Sequence, residues 1–410
     1  LHVGAKRTTH RTPVCERSKD EVEFIEMSEL YMKQVDFKKD MAKIAKGPNF
    51  YSENSRKILL DWIDGVSIDW PISRRRYYAT PIPLWYCDGC GEVIVPEKSD
   101  ALYNTWKDKC PVGKCPKCGG SKFKGDERVF DTWFDSSNSP LYILKYMRDD
   151  KFFNKHMPCS LRPQGKEIVR TWLYYTLLKG YHLLGKPIFD DVFVHFHILD
   201  EKGIKMSKSL GNVVDPRDIL EKFGAEPFRL WATVEGNLDR TDFRCSYDRI
   251  DGAGKTLAKL WNVSRFISMF EAKDDVKAEF NDIDLWIRDE MSRLVKLADD
   301  GFTKYDFHKP MIEIKHFIWE TFSSHYLELV KNRAYNSEGK FTAGEQRGAV
   351  DTLNYCLDMI LKITAPVLPF LTYKIYMELN GRDIHFEEFP VAGKVLKSKF
   401  VTEDIVALNG

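Results

Sequence analysis

Residues 203–212 read Gly-Ile-Lys-Met-Ser-Lys-Ser-Leu-Gly-Asn. They put Lys205, Lys208 and the hydroxyls of Ser207 and Ser209 on one short segment between glycines. Lysine is a compact positive point charge, glycine lets backbone come close to a phosphate, and hydroxyls add hydrogen bonds. A mobile loop of this kind suits a triphosphate. The same composition also describes an ordinary solvated surface loop.

A second chemical pattern is Cys87-x-x-Cys90 with Cys115-x-x-Cys118, each pair beside glycines: Gly89 and Gly91, then Gly119 and Gly120. Two residues between cysteines let both thiolates turn toward one ion, and two such pairs make a tetrahedral zinc ribbon closed by four sulfurs. Zn2+ there is structural, not catalytic. Free buried thiols are the plain alternative, and a nucleic-acid-binding finger is another. Cys110 lies close enough to compete but lacks a paired cysteine. Cys15 stands alone, and no metal is assigned to it.

Two further stretches can wall a small pocket. One is Val129 to Ser137, with Asp131, Trp133 and Asp135; the other is Arg162 to Trp172, with Gly165, Glu167, Ile168 and Trp172. Carboxylates can hold an amino group, and aromatic and branched side chains can line an apolar cleft. Composition alone favours reading Trp133 and Trp172 as core residues.

The elements that must position these groups follow from periodicity. A hairpin is predicted near Thr12 to Ile25. Ser52 to Asp64 reads as a helix with Ile58, Leu59, Trp62 and Ile63 as its apolar stripe, Ser52 as cap and Gly65 as stop. Glu167 to Leu184 reads as one long amphipathic helix. Val192 to Asp200 alternates as a strand. Asp215, Pro216 and Gly224 mark a short helix after the lysine loop. Strand and helix alternation predicts an α/β fold with a mostly parallel sheet. From about Cys245 helices take over: Thr256 to Phe270, Asp284 to Phe302, Lys309 to Asn332 and Gly344 to Leu361. They predict an all-α domain.

The 410 residues allow two or three domains. Hydrophobic residues make up 43% and charged residues 30%, as in ordinary soluble proteins. The formal net charge of +1 means that any RNA contact must come from local basic surface. No apolar run reaches membrane-spanning length, since Ile363 to Tyr376 is broken by Pro366 and Pro369. No signal peptide is visible at the basic start. Nine cysteines, mostly clustered, fit metal binding in a reducing cytoplasm.

The order of these pieces resembles the valyl, isoleucyl and leucyl branch of class I aminoacyl-tRNA synthetases over most of the chain. Lys205-Met206-Ser207-Lys208-Ser209 resembles that family's second signature. Asp69 to Arg74 with Thr80 to Trp85 looks like the segment leading into its zinc module. Asp131-Thr132-Trp133-Phe134 looks like its pocket tryptophan motif. Leu260 to Phe266 and Tyr326 to Lys331 look like its anticodon-binding domain. Gly165-Lys166-Glu167-Ile168 matches the valyl pattern of archaeal type, where the isoleucyl form carries glutamine in place of Ile168.

The resemblance implies a fold and an activity. The fold is a partial Rossmann-like catalytic domain with a zinc-ribbon insertion, then a helical anticodon-binding domain. The expected boundaries are 1–50 for a lead-in or trailing edge of the editing insertion, 51–245 for the second half of the catalytic domain with zinc at 84–128, 246–400 for the helical domain and 401–410 for a tail. The activity is ligation of valine to tRNA(Val) with ATP and Mg2+, by a monomer in the cytoplasm with no membrane partner. Lys205 and Lys208 would be catalytic. His195, Lys205, Met206, Ser207, Lys208, Ser209 and Asn212 would serve ATP. Trp133, Gly165, Glu167, Ile168 and Trp172 would line the amino-acid site.

The family's first signature, His-x-Gly-His, is absent among the ten histidines. The editing domain is missing apart from a trailing edge, so the chain looks like a carboxy-terminal half that is inactive alone. Phe196 follows His195 where the family usually has glycine. An isoleucyl fragment and a non-catalytic RNA-binding protein remain as alternatives.

Overall fold

Proline, glycine and side-chain caps set most element boundaries. The computed structural model describes all residues except 1–3, 10, 16, 17, 24, 98–100, 238–241, 271–274, 394–397 and 410. The expected hairpin is represented by one antiparallel bridge, Val14 with Glu21; its residues 16, 17 and 24 lie outside the described residues. The chain divides into two compact units. One comprises Leu1–Lys43, Trp62–Lys155 and Thr171–Lys186; the other comprises Ile44–Asp61, His156–Arg170 and Pro187–Gly410.

The first unit holds short antiparallel ladders: Tyr31–Met32 with Trp70–Pro71, and Ser73–Arg74 with Val129–Phe130. A three-stranded antiparallel sheet carries the paired cysteines, with Trp85–Cys87 between Val93–Ile94 and Phe123–Gly125. Trp70 is buried at the centre of the unit and stacks on Tyr175 at 3.6 Å.

The second unit contains the parallel sheet. Phe189–His195 runs in its middle, with Asn49–Phe50 on one side and Cys159–Gly165 on the other. The pairing sets His195 opposite Gly165, so both lie at carboxyl strand ends. Ligands of open α/β sheets bind at such ends. Val192 and Val194 are buried as expected, but the strand breaks after His195 and resumes as Ile198–Leu199, which pairs in parallel with Phe243–Arg244.

Helices then build the larger core of this unit: Pro216–Phe223, Ala225–Glu235, Tyr247–Ile267, Asp282–Phe302, Ala343–Thr364 and Pro369–Asn380 among them. Asp215 caps the first, accepting from the Arg217 N–H at 2.9 Å. Asn281 with Asp284, and Thr342 with Glu345, form reciprocal capping boxes. Asp284 is fully buried and salt-bridged to Arg333 (Nη1 to Oδ2, 2.7 Å), and also accepts from the Tyr326 hydroxyl at 2.7 Å. No helix among the described residues is long and apolar enough to cross a membrane.

Two expectations need correction. The helix after Ser52 does form, as Glu53–Gly65, but the buried Ser52 Oγ makes no hydrogen bond; the backbone carbonyl alone accepts from Ser55 and Arg56. The run from Lys166 to Leu184 is not uniform. It opens with a tight 3₁₀ turn at Lys166–Ile168, widens to π spacing over Val169–Leu173, and becomes α-helical only over Tyr174–Leu184. Wide turns of this kind re-aim side chains and concentrate at functional sites.

Candidate active site and metal centre

In the second unit, Gly165 ends the edge strand and Glu167 sits in the middle of the tight turn after it. A methyl group on Gly165 would meet the Glu167 carboxylate, so a larger residue there would displace this acid from its place beside the strand end. Glu167 accepts from His197 Nε2 at 2.8 Å. Burial alone would raise its carboxyl, but its own backbone N–H and His197 outweigh that and hold it below the usual range. The His197 backbone N–H donates to Asp242 at 2.9 Å, and Asp242 binds the Lys166 ammonium at 2.5 Å. Lys166 and Glu167 are thus each anchored to the broken strand. Ile168 is half-buried on the same turn, and His195 is exposed at its strand end.

The lysine loop is braced from within. Asp200 accepts from the Ile204 N–H at 2.7 Å and from Asn212 Nδ2 at 2.9 Å. The bond from Asn212 leads the effects that hold the Asp200 carboxyl below its ordinary value. Asn212 Oδ1 in turn accepts from the Ser207 N–H at 2.9 Å. Ser207 and Ser209 hydroxyls lie 3.1 Å apart. Met206 packs on the hydrophobic core and its sulfur accepts from the Val214 N–H. Lys205 and Lys208 are exposed, and neither has a carboxylate partner among the described residues. The brace keeps two unpaired positive charges at the end of a parallel sheet, where they can meet an anion.

Trp133 and Trp172 belong to the first unit, apart from the Gly165 group. Asp131 caps the helix Thr132–Ser136 by accepting from the Trp133 N–H; it also accepts from Trp70 Nε1 and Arg74 Nη2, each at 2.9 Å. The Trp172 indole donates to the Ser136 carbonyl at 2.9 Å. Both tryptophans are half-buried, not core residues. Lys179 is buried beneath them on Tyr174–Leu184, its ammonium 3.4 Å from the Phe134 ring centre and bonded to the Phe134 carbonyl and to Asn138 Oδ1. Burial pulls this lysine down to about 7.

The four sulfurs of Cys87, Cys90, Cys115 and Cys118 lie within 4.8 Å of one another, and none is in a disulfide. Cys87 and Cys118 are 3.5 Å apart, Cys90 and Cys115 3.7 Å. A tetrahedral Zn–S bond of about 2.3 Å sets sulfurs roughly 3.8 Å apart, so the donor set fits a closed metal site. The backbone N–H of Cys118 leads the effects that draw the Cys115 thiol down, whereas at Cys90 the lowering bond from the Glu92 N–H is outweighed by burial and the neighbouring thiols, which push it up. Four ionised thiols this close need a cation among them.

Sequence reasoning missed Asp200, Lys166, Asp242 and Lys179. Asp200 had a local signal, an acid at a strand end just before the Gly203 turn. Lys179 also had one, a lone charge on an apolar helix face. Asp242 and Lys166 are far apart in sequence and had none.

The first 243 residues apart from the leading nine match the family model for tRNA synthetases class I (I, L, M and V), at residues 10–243. Residues 284–410 match the anticodon-binding domain of tRNA ligases. The chain belongs to the class I tRNA synthetase family.

Among its relatives is the valine–tRNA ligase of Aeropyrum pernix, 41% identical over 95% of this chain and 48% of that protein. That of Pyrobaculum aerophilum is 42% identical over 94% of this chain and 49% of the relative. That of Nanoarchaeum equitans is 38% identical over 98% and 52%. The chain spans about half the length of the curated relatives it matches. Two solved structures share the fold. Mycobacterium tuberculosis methionyl-tRNA synthetase bound by methionyl-adenylate superposes with a TM-score of 0.67 at 17% identity, over 94% of this chain and 70% of that one. The Agrobacterium radiobacter LeuRS–tRNA–LeuAMS complex gives 0.59 at 21% identity, over 83% and 47%.

Proposed function

We propose that this chain is part of an enzyme that activates valine with ATP and transfers it to tRNA(Val) in the cytoplasm. The observation that carries this is the braced loop: Asp200 and Asn212 hold Ser207, leaving Lys205 and Lys208 exposed and unpaired beyond the strand end of His195. The valine–tRNA ligase relatives support the choice of amino acid.

In the first step the valine carboxylate attacks the α-phosphorus of ATP in line, forming a mixed anhydride as pyrophosphate leaves. Positioning and stabilisation of developing charge do most of this work. Lys205 and Lys208 sit against the departing phosphates, with Mg2+ entering as the complex with ATP. Ser207, Ser209 and the Met206 backbone complete the phosphate cradle, and His195 and Asn212 serve the nucleotide side. Glu167 receives the valine ammonium. Gly165 and Ile168, on either side of Glu167, shape the apolar pocket. Ile168 narrows it, although one methylene yields only about 1–3 kcal/mol of discrimination. Zn2+ on the four cysteines is structural, and the helices from residue 246 onward take the anticodon arm.

ATP–pyrophosphate exchange tests this, run with valine, isoleucine and leucine on this chain and on the full product of its reading frame. Valine-only exchange in the longer product is the expected result. Isoleucine-dependent exchange shifts the assignment to the isoleucyl enzyme. Exchange with none of the three amino acids in either form selects a second reading, an RNA-binding protein without catalysis.

A further inference from the structure

The cysteine-bearing sheet of the first unit carries a hollow of 600 Å³ whose rim includes Trp106, Lys107 and Lys109. Its lining sets Lys107, Lys109 and Lys124 against Asp108 and Glu127; Asp108 accepts from the Asn104 N–H at 2.6 Å, and Glu127 pairs with Lys124 at 3.0 Å. Lys107 and Lys109 are exposed and have no carboxylate partner among the described residues. The hollow therefore presents net positive charge although the whole chain is nearly neutral.

Aromatic side chains stand exposed beside these lysines. Tyr77 is 91% exposed, Tyr78 is 92% exposed and Trp106 is 39% exposed. The Tyr77 and Trp106 rings approach to 6.2 Å between centres and are inclined by 35°. Arg76 beside them is also exposed and unpaired among the described residues, whereas Arg74 and Arg75 are tied to Asp131 and Glu29. Tyr77 and Trp106 together make an exposed aromatic patch, and such patches mark interaction sites.

Trp106 is held in place by its neighbour. The Thr105 hydroxyl donates to the Asp126 carbonyl at 2.7 Å, and the Thr105 backbone lies so close to Gly125 that a side chain there would collide with it. The backbone beside Trp106 is thus held against the sheet.

We infer that Tyr77, Tyr78 and Trp106, with Arg76, Lys107 and Lys109, form a binding surface for unpaired RNA nucleotides. Bases stack on aromatic faces without regard to sequence, and the free cations follow the phosphates. The inference rests on the proposed function, since it names a place where that RNA partner would be held.

The test is fluorescence-anisotropy titration of a short fluorescein-labelled oligocytidylate, with a blunt RNA duplex and a polyglutamate peptide as competing probes. Tyr77→Ala and Trp106→Ala should each weaken oligocytidylate binding about tenfold, and Tyr77→Phe should restore it. Tyr77 is almost fully exposed, so its replacement leaves folding intact. Lys107→Ala with Lys109→Ala should flatten the logarithmic salt slope by roughly 0.7 for each lysine. Oligocytidylate affinity unchanged in both aromatic variants overturns the inference, as does preference for the peptide or the duplex. Binding of tRNA by the parent chain, unaltered by all these variants, overturns the inference and leaves the functional reading standing. Failure of the parent chain to bind either RNA overturns both.

Discussion

Lys208 is the residue on which the proposed chemistry is most exposed to test. Its charge has no carboxylate partner among the described residues, and its loop is braced by Asp200 and Asn212. Lys208→Ala in the full reading-frame product should therefore slow adenylate formation by about 10²–10³-fold with the fold intact. Unchanged circular dichroism together with a rate within a few-fold of the parent would remove the loop from the mechanism. Asp200→Ala probes the brace. It should slow the same step by about 10²-fold, as misplacement of a positioned group does, with both lysines still present. The loop's exposed lysines were legible from its residues, because lysines and serines between glycines rarely pack into a core. The brace was not, because a carboxylate that bonds backbone N–H groups leaves no distinctive spacing.

Elements were legible where a terminus carries its own chemistry. Asp215, Pro216 and Gly224 marked a helix that forms as Pro216–Phe223. Pro366 and Pro369 were read as breakers, yet Pro369 opens the helix Pro369–Asn380, where its missing N–H costs nothing. Ala225–Glu235 escaped notice because Gly224 both ends one helix and starts the next. The break after His195 follows from the Asp242 hydrogen bond to His197, a partner that no local period reports. Two predictions belong at this scale. Arg333→Met leaves the Asp284 carboxylate buried and unpaired, and should cost about 3–5 kcal/mol in urea unfolding. Lys179 gives a pH signature. Its folded value is near 7 and its ordinary value is 10.5, so between those values the unfolded chain binds the extra proton and stability rises with pH. Unfolding midpoints at pH 7 and pH 9 should show that rise, and Lys179→Met should flatten it.

At the scale of the whole molecule, the chain divides into two compact units, and the four-cysteine centre lies in the first of them. Structural zinc contributes folding energy directly, so its removal should act locally. A strong chelator should melt the cysteine-bearing sheet, seen as faster amide exchange over residues 85–97 and 101–125. The helices from Tyr247 onward should keep their protection. Metal analysis should return one Zn2+ per chain, and Cys115→Ser should reproduce the effect of the chelator. Uniform loss of protection throughout the chain would contradict this division.

The chain passes back and forth between the units, and this orders its synthesis. Asn49 contacts Asp191 across a separation of 142 residues, and Phe50 pairs with Val192. At ribosomal speeds of roughly 5–20 residues per second, the first strand waits about 7–30 s for its neighbour to be made. During that interval the nascent chain carries Phe50 and the apolar face of Glu53–Gly65 without their sheet. A holding chaperone on the ribosome would meet this segment before the helices from Tyr247 onward emerge.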